Sequence, residues 1–361
     1  MADKAYEKYI RETFVLASKA SGRTAPNPMV GALVIKNGKT VGHGYHKKAG
    51  TPHAEIHALN MAGEKARGAD LYVSLEPCCH FGRTKPCTDE IIKSGVKRVI
   101  FAMTDPNPKV KGKGAAKLRR AGIEVIPNIL KDEASRLNEV YVKYIQTGLP
   151  FVTLKIAQTL DGCIATKTGE SQWITGSEAR KMVHQLRACH DAVMIGAGTA
   201  AKDNPSLTVR SVRGQNPYRI ILSKDLNFPL NIALLNKNTD SRTIIATSRE
   251  ASQKINSDKV AVWNVKSRKS GLSLTDFLKR AGEFGITSIL LEGGASLAGS
   301  FIREGMIDKY IFFIAPTLIG GGVGSVCDLG IKKLNKAIKL SGVSTRFIGR
   351  DLMITAYPGD K

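Results

Sequence analysis

The residues with the most chemistry in this chain fall between His53 and Cys87. His53 offers an imidazole, and Cys78 and Cys87 offer thiolates. Three such ligands leave one position of a tetrahedral Zn²⁺ open, the pattern of a catalytic rather than a structural zinc. Glu55 lies two residues from His53, too close for a comfortable fourth ligand but well placed to exchange protons with a water at the open position. Zinc lowers the pKa of such a water to roughly 7. A carboxylate beside it can take the proton and hand it to a departing amine.

H-x-E followed by P-C…C is the signature of zinc deaminases of nucleobase-like rings. The spacing here is unusual, because eight residues separate Cys78 from Cys87 where P-C-x-x-C is the common form. Cys79 and His80 are rival ligands. A structural site of His53 with Cys78, Cys79 and Cys87 is one alternative, although adjacent cysteines rarely serve one ion. A His53/His57 pair at i,i+4 is another, but in H-A-E-I-H the Glu stands one place later than in H-E-x-x-H metalloproteases. No metal at all is the third, and the catalytic zinc is the preferred reading.

The elements that must hold these residues follow from pattern. Residues 4–20 read as an amphipathic helix, with Ile10, Phe14, Ala17 and Ala20 near one face. Two prolines around Asn27 fix an extended loop that can present its amide, so Asn27 is a candidate ring contact, with a plain turn as the alternative. Val30–Ile35 and Thr40–Tyr45 read as a hairpin around Asn37-Gly38. A helix starts after Thr51-Pro52 with His53 and Glu55 in its first turn. Leu71–Leu75 is a strand that leads to Cys78, and Cys87 opens the next helix, where a helix N-terminus favours thiolate. Arg98–Met103 is a strand, Lys111–Ala121 a helix, Ile123–Ile126 a strand, and a helix runs to about Thr147. The alternation predicts a three-layer α/β domain.

The chain has 361 residues, enough for two cores. No run of 18 apolar residues crosses a membrane and the start lacks an apolar signal core, so a cytoplasmic location is expected. Six cysteines, three of them in one short window, do not make a disulfide framework. The net charge is +23, which raises the question of nucleic acid. Residues 1–147 carry 25 Lys and Arg against 14 Asp and Glu, and residues 148–361 carry 29 against 17. Charge this even, with no basic arm and only 6% aromatics, argues for phosphorylated small molecules instead.

His53-Ala54-Glu55, Glu76-Pro77-Cys78, Gly82-Arg83-Thr84, Pro86-Cys87 and Asp105-Pro106-Asn107-Pro108 together resemble the deaminase half of the bifunctional riboflavin-biosynthesis deaminase/reductase family. In that family the long cysteine spacing is the expected one. The resemblance implies a cytidine-deaminase-like fold, with zinc on His53, Cys78 and Cys87 and a proton-shuttling Glu55. It implies substrate contacts at Asn27, His46, His80, Arg83, Asp105 and Asn107. Cys79 stands where the family often has Ser, and Lys85 where it often has Pro.

Gly148-Leu149-Pro150 marks a boundary, giving domains at 1–147 and 148–361. Beyond it, Phe151–Ala157 is an apolar strand, and Ser177 is expected to cap a helix running to about Cys189. Asp191–Ile195 is a strand followed by Gly196-Ala197-Gly198-Thr199-Ala200-Ala201, a weak match to a dinucleotide-binding turn. Strands follow at Arg219–Leu222 and Thr243–Thr247, then a looser lysine-rich region to about Gly271. Ser288–Glu292 is a strand running into Gly293-Gly294-Ala295-Ser296 and a helix, where glycines let a backbone approach a phosphate, or merely make a tight turn. Tyr310–Ala315 and Leu352–Tyr357 read as closing strands.

Lys155 to Gly162, Ser171 to Thr175, Asp203 to Arg210 and Glu292-Gly293-Gly294 resemble the reductase half of the same family. The resemblance implies a dihydrofolate-reductase-like fold that uses NADPH, and a homo-oligomer. It implies Lys155 and Glu292 beside the reacting sugar. Ala157, Trp173, Thr199, Asp203 and Gly294, Ala295, Ser296, Leu297, Ala298, Gly299 and Ser300 would contact the dinucleotide. Ser171, Arg187, Leu207 and Arg210 would hold the ribosyl phosphate. The implied substrate is 2,5-diamino-6-ribosylamino-4(3H)-pyrimidinone 5′-phosphate, deaminated first and then reduced from ribosyl to ribityl. A nucleic-acid-editing deaminase and a zinc-stabilised binding module are the competing readings.

Overall fold

The computed structural model describes residues 2–81, 85–237, 240–253, 260–269 and 271–359. It divides into two compact units, Met1–Gly148 and Leu149–Lys361.

The first unit runs α1 (Ala2–Ser18), β1 (Gly31–Lys36), β2 (Lys39–Tyr45), α2 (Ala54–Ala62), β3 (Asp70–Val73), α3 (Cys87–Ser94), β4 (Arg98–Phe101), α4 (Lys113–Arg120), β5 (Glu124–Ile126), α5 (Lys131–Leu137) and α6 (Glu139–Thr147). Its sheet has the order β2-β1-β3-β4-β5. β1 is antiparallel to β2 and β3, while β3, β4 and β5 are parallel. Asn37 and Gly38 take φ of 51° and 74°, the two positive values that a two-residue hairpin turn needs.

Two glycines show how the layers close. A Cβ on Gly31 would run into the Thr13 carbonyl of α1, and a Cβ on Gly44 would run into Ala54 and His57 of α2. Gly44 pairs with Ala32, the neighbour of Gly31 on β1. Successive strand residues face opposite sides, so α1 and α2 cover opposite faces of the sheet. This is the three-layer sandwich read from the alternation. One expectation is corrected: the last helix is broken at Asn138 (φ −110°) into α5 and α6, because the Asn138 amide bonds to the backbone of Met29.

The second unit runs β6 (Phe151–Thr159), β7 (Cys163–Ala165), α7 (Ser177–Cys189), β8 (Ala192–Gly196), α8 (Ala197–Asp203), β9 (Tyr218–Leu222), α9 (Ala233–Asn236), β10 (Thr243–Thr247), α10 (Arg249–Ser252) and β11 (Val260–Asn264). It continues β12 (Ser267–Arg268), β13 (Gly271–Leu272), α11 (Leu274–Glu283), β14 (Ser288–Leu291), α12 (Ala295–Arg303), β15 (Lys309–Ala315), β16 (Val323–Gly324), β17 (Leu340–Ile348) and β18 (Asp351–Pro358). The main sheet has the order β11-β10-β9-β8-β14-β6-β15-β18-β17. Neighbours from β11 to β15 are parallel, and β18 is antiparallel to both β15 and β17.

Alternation along β8 sets both faces. Ala192 and Met194 pack with Phe277 of α11 and Phe301 of α12. Val193 and Ile195 pack with Ala200 of α8 and Leu234 of α9. Further along the sheet Ile311 and Phe313 pack on Ala179 and Val183 of α7. Sequence patterning misses β11, which sits in the lysine-rich stretch. It also misses β17, an edge strand exposed over almost its whole length and so without alternating burial. The cap of α7 is Gly176, and Ser177 is its first helical residue.

Candidate active sites

In the first unit, β3 and β4 end at one edge of the sheet and deliver Cys78 and Asp105 there. His53 caps α2, with extended φ/ψ of −75° and 167°, and Cys87 is the first residue of α3. Two helix N-termini therefore flank the same point and favour negative charge on the sulfurs. His53 Nδ1 lies 3.1 Å from Cys87 Sγ and 3.5 Å from Cys78 Sγ. Among the described residues, these three form a cluster whose ligand atoms all lie within 4.8 Å of one another. Zinc bonds of roughly 2.0–2.3 Å at tetrahedral angles need ligand separations of about 3.5 Å, the scale found here. A hydrogen bond with Cys87 lowers the Cys78 pKa, helped by His53, and the same bond together with burial pushes the Cys87 thiol up. The pair thus holds one thiolate ready. The Cys87 amide also donates to Cys78 Sγ at 3.3 Å.

Glu55 is 3% exposed, and its Oε2 has no hydrogen-bond partner among the described residues. Burial raises its pKa, against the pull of His53. An orphaned, proton-hungry carboxylate oxygen beside a His-Cys-Cys cluster fits a zinc ion with an open position. Cys79 is absent from the cluster.

Asn27 and His46 are joined at 3.2 Å, Asn27 Nδ2 donating to Nε2. His46 Nδ1 then donates to the Pro52 carbonyl at 3.3 Å, which assigns a neutral ring, and burial lowers its pKa. The His46 ring stands edge-on to His53 with centroids 5.2 Å apart. His80 has a buried Nδ1 with no partner among the described residues. Asp105 is 5% exposed, and its Oδ1 accepts from the Asn107 amide and from the Tyr141 hydroxyl, both at 2.8 Å. Arg83 lies outside the described residues.

In the second unit a cavity of about 1230 Å³ opens along the carboxyl ends of β6, β14, β8 and β9. Lys155 and Glu292 line it, with Nζ 3.8 Å from Oε2. Arg187 of α7 holds Glu292 through two hydrogen bonds, Nε to Oε1 at 2.7 Å and Nη2 to Oε2 at 3.0 Å. Burial pushes Glu292 up, but Arg187 and Lys155 outweigh it and hold the carboxyl at about 2. Burial lowers Lys155, against the opposite pull of Glu292. Arg210 donates a side-chain bond to Ser206 at 2.7 Å and Arg187 one to the Thr208 carbonyl at 3.3 Å, so both arginines tie down the same loop.

The two glycine turns are joined, because the Gly294 amide donates to Thr199 Oγ1 at 3.0 Å. The N-termini of α8 and α12 thus open side by side onto the cavity. Ala157, Ser171, Trp173, Asp203 and Leu207 also line it, as do Ala295, Ser296, Leu297 and Ser300. Trp173 is 67% exposed, with the Arg180 guanidinium 4.7 Å from its ring centre. Ala298 and Gly299 are turned away from the cavity. Ala298 is in the apolar core, and Gly299 packs against Cys327 on the far side of α12. The run 294–300 is a helix, and a helix offers only one face to a ligand.

Sequence reasoning misses four buried residues. Glu76 accepts from the amides of Asp105 (3.2 Å), Gly112 (2.9 Å) and Ala115 (3.0 Å), fixing the Asp105 loop to the cysteine loop. His184 accepts from the Arg210 amide at 3.3 Å. Asn138 and Tyr141 are the others. Glu76 stands in the Glu-Pro-Cys motif and had that signal; the rest carry none, because their partners are far away in sequence.

The first unit is an α/β layered domain with a His-Cys-Cys cluster of the zinc-deaminase kind, and the second is a largely parallel sheet with a cavity onto which two helix N-termini open. The comparisons agree with both. Residues 3–103 match the cytidine and deoxycytidylate deaminase zinc-binding region, and residues 150–354 match the RibD C-terminal domain. The riboflavin biosynthesis protein RibD of Aquifex aeolicus (strain VF5) is 48% identical, covering 96% of this chain and 97% of its own. A Thermotoga maritima diaminohydroxyphosphoribosylaminopyrimidine deaminase/5-amino-6-(5-phosphoribosylamino)uracil reductase superposes with a TM-score of 0.89 at 37% identity, covering 99% of this chain and all of its own, 100%. Acinetobacter baumannii RibD (form 1) gives 0.88 at 35%, with the same coverage of 99% and 100%. The chain belongs to the RibD family of riboflavin-biosynthesis proteins. It is a bifunctional enzyme, a zinc-dependent deaminase and an NADPH-dependent reductase acting on a small molecule.

Proposed function

We propose that residues 1–147 form the deaminase and residues 148–361 the reductase, and that each site works through the residues above. In the first, His53, Cys78 and Cys87 hold the zinc, which when bound supplies a water ionised near neutral pH as the nucleophile. Glu55 Oε2 takes a proton from that water and returns it to the amine leaving the pyrimidinone ring. Asn27, held by His46, presents its carboxamide to the ring, and His80, Arg83, Asp105 and Asn107 hold the ring and the ribosyl phosphate. The buried Oε2 of Glu55 carries this reading, because a dry carboxylate oxygen without a hydrogen-bond partner among the described residues is open to a proton.

In the second site NADPH, when bound, supplies the hydride that C1′ of the sugar accepts. Lys155 Nζ gives a proton to the sugar oxygen released from C1′. Glu292 orients Lys155, and Arg187 keeps Glu292 ionised. Arg187, Arg210, Ser171 and Leu207 close around the ribosyl phosphate, for which an arginine fork is suited. The dinucleotide lies along Thr199, Asp203 and the first turn of α12, with Ala157 and Trp173 beside the nicotinamide.

The protein acts in the cytoplasm as a homo-oligomer. Among the described residues no helix is long and apolar enough to cross a membrane. Val343 and Phe347 on the edge strand β17 are 60% and 75% exposed, apolar surface that a second copy would cover. One sample tests the whole: zinc per chain is counted, then substrate and NADPH are added. Bound zinc, ammonia release and then loss of NADPH absorbance are expected. Ammonia without NADPH loss would overturn the second half, and a zinc-loaded protein that releases no ammonia would overturn the first.

A further inference from the structure

α6 is not part of either site, yet two buried side chains on its first turn reach the deaminase site. Asn138, 3% exposed, caps the helix and pairs its carboxamide with both sides of the Met29 peptide backbone: the Met29 amide donates to Oδ1 at 2.8 Å, and Nδ2 donates to the Met29 carbonyl at 3.0 Å. Met29 lies two residues from Asn27. Three residues on, Tyr141 is 8% exposed and its hydroxyl donates to Asp105 Oδ1 at 2.8 Å. Asp105 Oδ1 also accepts the backbone amide of Asn107 at 2.8 Å. Residues i and i+3 share one helix face, so a single face grips two loops that are far apart in sequence.

We propose that the first turn of α6 is a positioning element for deamination, Asn138 fixing Asn27 through Met29 and Tyr141 fixing Asp105, and through it Asn107, against the ring and the ribosyl phosphate. The inference rests on the reading of Asn27, Asp105 and Asn107 as substrate contacts. It accounts for the coincidence of the helix break at residue 138 with the paired bonds to Met29. It also explains a buried tyrosine hydroxyl on a carboxylate, which a purely apolar contact would not need.

Tyr141→Phe removes only the oxygen. Burial raises Asp105 to about 6, and Tyr141 opposes the rise, while the charges of Glu76 and Cys78 reinforce it. Without the hydroxyl the Asp105 carboxyl titrates at higher pH. The full-length, zinc-loaded variant is therefore expected to keep its zinc and its NADPH oxidation with pre-deaminated substrate. Its kcat/KM for ammonia release should fall roughly tenfold or more, the loss of a hydrogen bond to a charged group, mostly through KM. The acid limb of its pH profile should move upward.

Unchanged kcat/KM and an unmoved acid limb would overturn the inference. Should Tyr141→Phe lose its zinc, Asn138→Ser carries the test through the same zinc, KM and NADPH readings, and a raised KM with zinc retained is the supporting result. Loss of zinc in both variants would mean that α6 holds the fold rather than the loops, and would also overturn it. A wild-type protein that releases no ammonia would instead remove the reading on which the inference rests.

Discussion

Arg187 and Glu292, from α7 and the end of β14, face each other on the cavity wall through two hydrogen bonds of 2.7 and 3.0 Å. Their side chains are 12% and 7% exposed. A buried pair of this kind is costly to break, because the surviving charge is left without a partner.

Glu292→Gln is expected to abolish NADPH oxidation and to destabilise the reductase unit by about 3–5 kcal/mol at neutral pH. The folded Glu292 carboxyl titrates at about 2 instead of its usual 4.5. Its contribution is thus complete above pH 4.5 and is lost as pH falls toward 2. Chemical denaturation of both proteins across that range should show their stabilities converging in acid. A constant difference would mean that the carboxylate charge is not what the pair contributes.

Lys155→Ala separates the two chemistries. Ammonia release should continue at the wild-type rate while NADPH oxidation disappears. Equal loss of both would show that the assignment of two independent sites is wrong.

Glu55→Gln should retain one zinc per chain and lose deamination by roughly 10²–10⁴-fold, the usual worth of a positioned acid–base group. Metal analysis and an ammonia assay decide it. A protein serving only as a zinc-stabilised binding module would keep its function.

Cys78→Ser or Cys87→Ser should lose zinc, and a strong chelator should do the same to the wild type. Melting of the deaminase unit should move down in each case, since metal bound only to the folded state adds its binding free energy to stability. NADPH oxidation of pre-deaminated substrate should persist.

Gly44→Ala tests the packing that brings His53 to the cysteines. The added Cβ would sit 2.6 Å from the Ala54 carbonyl and 2.5 Å from His57 Cβ, so α2 must shift. A cost of about 1–3 kcal/mol is expected, with weaker zinc retention because His53 caps that helix. Full zinc occupancy at unchanged stability would show that α2 yields without moving its first turn.

The His53, Cys78 and Cys87 cluster was legible because ligand chemistry demands particular side chains, and two of the three stand at helix starts. The alternation of apolar strands and helices marks the first layered unit, since a buried strand must be apolar whatever its neighbours, while the fold of the second came from its resemblance to a known family. The hairpin at Asn37-Gly38 was equally plain, because its turn needs two positive φ values. Edge strand β17 left no such trace: it is exposed over almost its whole length, so its residues do not alternate between core and solvent.

Tertiary structure alone decided the rest. Which face of α12 meets the cavity, sparing Ala298 and Gly299, depends on how that helix packs on the sheet. Arg187 finds Glu292 across 105 residues, and Asn138 finds Met29 across 109. Such partners are set by strand order and by helix placement. A sequence pattern records the period of one element; it holds no record of which other element that element will meet.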